Sequence, residues 1–208
     1  MRDEWLNLCR RLAAHADPER DAALWICLDA LYQFPHRAYH SLSHVEHGLT
    51  AFRSLAFEAN DLEACEMAIW LHDAVYEPRQ ADNEPRRAII AGIFAREFRC
   101  SDCRIQHITD LVLATRHDEI EPTGDCRLIV DVDLAVLRAP PDQYDSYAAA
   151  IRDEYSFADH SAWAKGRSAF LSAMLARRRI YCTDEFHQRF GRQARENLAR
   201  ELQSLTCD

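Results

Sequence analysis

The sequence predicts an all-α fold, a single-domain helical bundle spanning residues 1–208. Three observations carry that expectation. Proline and glycine are scarce, at seven and five in 208 residues. Nearly every segment between them repeats apolar residues at three- and four-residue spacing, the signature of amphipathic helices. Finally, the one strand-like run, "RLIVDVDLAVL", has no second strand to pair with, and its leucine spacing is equally helical.

Taken in order, the first stripe runs through Trp5, Leu8, Cys9 and Leu12, and a second through Leu24, Leu28 and Leu31, ended before Pro35. His44, Gly48, Phe52 and Leu55 mark a third, with an imidazole inside the apolar face and a glycine one turn on that permits close helix approach. Leu62, Cys65, Ile69 and His72 mark the fourth and most apolar helix. Ile89, Ile93 and Phe94 define the next, followed by Ile105, Ile108 and Val112, then Leu128 to Leu137 read as a buried helix. Tyr144–Tyr155, Trp163–Ile180 and Phe186–Leu202 complete the set. Asp61, Ser101, Asp159 and Asp184 stand where helix N-caps are expected, and "EPTGD" and "APPDQ" read as short connections.

Composition narrows the function classes. Apolar residues are 48% and charged residues 28%, the balance of a folded globule. The net charge of -9, from 25 basic and 34 acidic side chains, argues against a nucleic-acid polymer or an anionic membrane as partner. Nearly every basic residue is arginine, with Lys165 the only lysine. The first twenty residues lack the apolar core of a signal peptide, and no apolar run approaches the roughly 18 residues of a membrane span, so a cytoplasmic address is expected. Eight cysteines, at 9, 27, 65, 100, 103, 126, 182 and 207, sit mostly in apolar helical patterns and read as small buried hydrophobes. Cys100 and Cys103 form a C-x-x-C pair, but with His107 alone nearby the ligand set for structural zinc is incomplete.

The chemistry concentrates in "YHSLSHVEHG" (Tyr39 to Gly48), "WLHDAVYEP" and "DVDLAVL". His72 and Asp73 end the most apolar helix, where an unpartnered charge is costly and a divalent cation would supply the partner. Asp131 and Asp133 interrupt an apolar run and want a cation or an arginine nearby. A metal site on helices draws ligands from several of them, so sparse spacing is expected.

These residues resemble the H…HD…D signature of the HD superfamily of metal-dependent phosphohydrolases. "YHSLSHV", "WLHDAVYEP", "NEPRRA", "ATRHD", "DVDLAVL", "YAAAIRDEY" and "GRSAFLSAMLARRRIY…ARENLAREL" together are similar to a subgroup of small bacterial HD proteins, over Tyr39 to about Leu202. The chain departs from the many relatives that read HDIGK. The resemblance implies an HD-type helical domain with a core over about 39–202. It implies His44, His72, Asp73 and Asp133 as metal ligands, with Asp73 bridging if two ions bind. "YHSLSH" also resembles the histidine pair of cyclic-nucleotide phosphodiesterases, which makes His40 the candidate general acid. His47 and His117 could complete a second metal site or meet the phosphate. Asn83, Glu84, Lys165 and Arg167 are candidate substrate contacts, with Arg86 and Arg87 as further phosphate partners. His15, His107, His160 and His187 read as surface residues.

The expected function is hydrolysis of a small phosphate ester or anhydride, with a nucleotide as the default substrate, by metal-activated water. Nitrogen and oxygen ligands suit manganese, iron, cobalt, nickel or zinc, with magnesium at a looser second position. Two alternatives stand beside it: an HD-type di-iron oxygenase, and a nucleotide-binding module without turnover.

Overall fold

The structure is a computed structural model that describes residues 1–117 and 122–206. Cys207 and Glu121, the latter part of the "EPTGD" connection, lie outside the described residues. The fold is all-α, with ten α-helices and three short 3-10 turns among the described residues. These cluster into two units, Met1–Asp133 and Leu134–Asp208. No helix among the described residues is long and apolar enough to cross a membrane.

The first unit contains α1 (Arg2–Leu12), α2 (Pro18–Tyr32), α3 (Leu42–Arg53), α4 (Leu62–Leu71), α5 (Asn83–Glu97), α6 (Asp102–Leu113) and α7 (Cys126–Asp133). Helix α4 is its axis. Apart from Glu63 and Glu66, which meet Arg104 and Arg11, it is apolar, with Ala64, Cys65 and the run Met67–Leu71 buried, as a helix largely enclosed by others must be. Helices α1, α3, α5, α6 and α7 all pack on it. Trp5 of α1 meets Trp70 edge to face at 5.6 Å, and Phe94 of α5 packs on the same indole at 5.8 Å.

Gly48 sets the approach of α3. A Cβ built there would lie 3.3 Å from methyl carbons of both Ile69 in α4 and Val132 in α7, closer than such contacts ordinarily come. The missing side chain lets three helices meet where α3 carries His44, α4 ends at His72 and α7 ends at Asp133.

The expected caps at Asp61, Ser101 and Asp159 are present, each side chain accepting from a backbone N–H three residues on. Asp17 caps α2 in the same way. Asp184 instead begins its helix, and the Thr183 hydroxyl accepts from the Phe186 N–H. The stripe through Ile89, Ile93 and Phe94 is corrected in part: Phe94 is buried, but Ile89 and Ile93 are exposed, and Ala88, Ala91, Gly92 and Ala95 share the buried face with Phe94. Small residues carry that face because α6 lies close against it. Of the described cysteines only Cys9 and Cys65 are buried, while Cys27 and Cys103 are exposed.

The run "RLIVDVDLAVL" is helical as expected, but α7 ends at Asp133 and a 3-10 segment, Leu134–Arg138, opens the second unit. That unit adds α8 (Pro141–Glu154), α9 (His160–Ala176) and α10 (Asp184–Thr206). Helix α10 packs along α9 and on the 3-10 segment. Asn197 of α10 donates to the carbonyls of Leu137 and Ala139, and Arg167 forks onto Glu201, whose carboxylate also accepts from the Tyr144 hydroxyl.

Candidate metal centre

Four side chains of the first unit converge. The Nε2 atoms of His44 and His72 and one carboxylate oxygen each from Asp73 and Asp133 lie within 4.8 Å of one another. His44 and His72 nitrogens are 3.0 Å apart. Asp73 Oδ2 is 3.3 Å from His44 and 3.1 Å from His72, and Asp133 Oδ1 is 3.5 Å and 3.4 Å from the same two. Donors held about 2.0–2.3 Å from one ion sit roughly 3.0–3.5 Å from their neighbours, so these separations match a shared cation. The cluster can hold a metal ion.

The ring of His72 is fixed for that task. Its Nδ1 lies 2.8 Å from the Ile69 carbonyl oxygen one turn back, to which it donates, leaving the Nε2 lone pair aimed into the cluster. Asp73 Oδ2 is buried and no hydrogen bond of good geometry reaches it. A buried carboxylate oxygen in that condition is costly without a cation.

Electrostatics agree. Burial opposes a charged imidazole, yet the Asp73 and Asp133 carboxylates overcome it and raise the pKa of His72 to about 10. His44 is raised for the same reason, burial again being outweighed by Asp133 and Asp73. Burial alone would raise both carboxyl pKa values, but His72 and Arg87 hold Asp73 well below the usual range, and His117, His44 and His72 do so for Asp133. The pocket attracts positive charge from whatever source supplies it.

The C-terminal end of α4 delivers two of the four candidate ligands, and the chain beyond it is tied down carbonyl by carbonyl. Helix ends leave carbonyls without partners. Here the Tyr32 hydroxyl donates to Trp70 O at 2.9 Å. Arg37 donates to Asp73 O at 2.8 Å and to Ala74 O at 3.2 Å, and a further N–H reaches His40 O at 2.7 Å. Arg87 donates to Val75 O at 2.6 Å and lies 3.0 Å from Asp73 Oδ1. Tyr32 and Arg37 went unnoticed in the sequence, and Arg87, expected as a phosphate partner, is 5% exposed and bound to a candidate ligand.

The other expected residues fall into distinct places. His40 is partly exposed just outside the cluster, with its ring stacked on Tyr76 at 4.0 Å and 5.9 Å from the His44 ring. His117, in left-handed backbone conformation after the 3-10 turn Ala114–Arg116, lies 2.7 Å from Asp133 Oδ2, the oxygen turned away from the other histidines. His47 is exposed. Asn83 ties the turn before α5, accepting from Glu77 N and donating to the carbonyls of Glu77 and Gln80. Glu84 lies 3.5 Å from Arg87. Asp131 is fully buried but is not one of the four converging donors, since residues two apart on a helix do not share a face. In the second unit Lys165 is exposed on α9 and Arg167 is committed to Glu201.

No family model matches the chain, and neither curated proteins nor solved structures gave a match.

Proposed function

We propose that the protein is a metal-dependent phosphohydrolase of the HD type, cleaving a small phosphate ester or anhydride, with a nucleotide as the favoured substrate class. The observation that supports this best is the convergence of two imidazole nitrogens and two carboxylate oxygens on one buried point. The resemblance of "YHSLSHV", "WLHDAVYEP" and "DVDLAVL" to HD motifs is the second support.

A divalent ion in that position would lower the pKa of a water and neutralise phosphoryl oxygens. The chain supplies the rest. His44, His72, Asp73 and Asp133 would hold the ion, and His117 restrains Asp133 through its second oxygen. Arg37 and Arg87 lie just behind, so with a divalent ion bound the two carboxylates would be met by that ion and two guanidinium groups. The local balance is positive in a chain whose net charge is -9, which favours a compact anionic group over a polyanion. His40, partly exposed beside His44, would give a proton to the departing oxygen.

The test is turnover of mononucleotides, nucleoside triphosphates, dinucleotides and p-nitrophenyl phosphate by protein loaded with manganese or zinc, against a chelated control. Failure on every phosphate ester removes the hydrolase reading. His40→Ala should keep its metal and lose roughly 10²–10⁴-fold in rate on a substrate with a ribose oxygen as leaving group. It should lose far less on p-nitrophenyl phosphate, whose leaving group needs no proton. Equal losses on both would remove His40 as the acid.

A further inference from the structure

We infer that the centre takes a single metal ion, because the Arg87 guanidinium already occupies the side of Asp73 on which a second ion would bind. The inference rests on the metal reading above and sharpens it. In the common two-oxygen bridge, each oxygen of a carboxylate faces one of the two ions. Asp73 turns Oδ2 toward His44 and His72, and its Oδ1 lies 3.0 Å from Arg87 NH2.

Arg87 is not a loose side chain that an incoming cation would push aside. Its side chain is 6% exposed, and its Nε donates to the Val75 carbonyl at 2.6 Å. Its remaining nitrogen, NH1, is 3.5 Å from Glu84 Oε1. The guanidinium thus faces Glu84 as well as Asp73 Oδ1, two carboxylates that a second ion on this side would draw on. A fixed positive charge that cannot be deprotonated, this close in a poorly solvated setting, repels a divalent ion strongly.

The charge count leads the same way. One divalent ion balances Asp73 and Asp133, and Arg87 is already met by Glu84. A second divalent ion would add two more positive charges beside that guanidinium, with Glu84 already spoken for. Arg87 thus does by side chain part of what a second ion would do, holding Asp73 Oδ1 and contributing positive charge. The bridging role assigned to Asp73 by resemblance is unavailable while Arg87 stays in place.

The experiment counts ions. Chelator-stripped wild-type protein is titrated with Mn²⁺, the metal content is measured after desalting, and the loaded protein is examined by electron paramagnetic resonance. One ion per chain and the six-line signal of an isolated Mn²⁺ are expected. Two tightly held ions, or the signal of a coupled pair, overturn the inference and reopen the di-iron alternative, while no bound ion overturns the metal reading itself. Arg87→Lys retains the charge and should still take one ion. Arg87→Gln frees Asp73 Oδ1 and Glu84, and should bind a second, weaker equivalent at excess Mn²⁺ with a coupled signal. A variant that folds, by circular dichroism, and still stops at one ion would show that Arg87 does not set the number.

Discussion

Asp125 and Asp73 are both buried aspartates of the first unit, at 2% and 3% exposure, and both have lowered pKa values against the opposing effect of burial. Their surroundings differ in kind. Asp125 accepts from Asn60 N and Nδ2 at 2.8 Å and from Asp61 N at 3.0 Å, with His107 Nε2 at 3.3 Å. Its donors come mostly from the backbone and an amide, and they pin the start of α4. Asp73 meets Arg87 through one oxygen, while its other oxygen meets only imidazole nitrogens that can equally serve as lone-pair donors. A carboxylate that holds a fold together is satisfied by N–H groups that do nothing else. A carboxylate prepared for a cation is left open on one side, among other open donors.

The largest expected effect separates the two directly. Asp73→Asn should weaken metal binding by more than about 100-fold, since even groups that only orient a ligand are commonly worth 10–100-fold, and the proposed phosphoester hydrolysis should fall with it. Its metal-free fold should lose stability as well, because asparagine removes the charge that answers buried Arg87 and the two imidazoles. Asp125→Asn should instead leave metal content intact while lowering unfolding free energy by about 3 kcal/mol, the scale of losing hydrogen bonds to a buried charge. Elemental analysis separates the two variants, and denaturant titration reads the stability of each. If Asp73→Asn keeps its metal, or Asp125→Asn loses it, the distinction fails.

Chelation sharpens the same contrast. An ion that binds only the folded chain stabilises it by about 2.7 kcal/mol at one hundred times its dissociation constant, so the melting temperature of wild type and of Asp125→Asn should fall when chelator is added. Asp73→Asn should melt at one temperature with or without it.

A smaller effect appears in acid. The Asp125 pKa is depressed by its donors, so the stability it contributes is present above the unfolded aspartate value of about 3.9. It disappears as pH falls through the lower, folded value. The difference in unfolding free energy between metal-free wild type and Asp125→Asn should therefore be level from pH 7 to about 5 and narrow below about 4. A gap that stays constant into strong acid would mean that the charge on Asp125 is not what binds Asn60 and Asp61.

Much of this was legible in the chain. His44, His72, Asp73 and Asp133 each break an apolar pattern that has no other use for a polar group, and that conflict is visible one residue at a time. The helices around them announce themselves by spacing. What stayed hidden depends on partners far along the chain. Arg37 and Arg87 look like solvent-facing arginines until the carbonyls 12 to 37 residues away are brought to them. Asp125 sits in a stretch that reads as a simple connection, and its burial follows from Asn60 and Asp61, some 65 residues earlier. The buried face of α5 was misplaced because alanine and glycine carry it, and small residues are weak signals of contact.

Gly48 is the one position where the sequence reading and the site geometry meet in a single atom, and its substitution gives the smallest and most discriminating effect. Alanine there gains up to about 1 kcal/mol of helix preference over glycine. The new methyl must then sit 3.3 Å from Ile69 and Val132, both buried and both stiff about χ1, and overpacking of this kind costs about 1–3 kcal/mol. Net stability should change by no more than about 2 kcal/mol. The displacement, however, is passed to both sides of the cluster: the Ile69 carbonyl orients the His72 ring, and Val132 directly precedes Asp133. Metal affinity in Gly48→Ala should drop roughly tenfold, in the range of other changes that disturb ligand orientation, while the helical content stays unchanged. A variant that gains the full helix preference and binds metal as tightly as wild type would mean that α3 has room to spare, and that the closeness of His44 to His72 does not depend on the missing side chain.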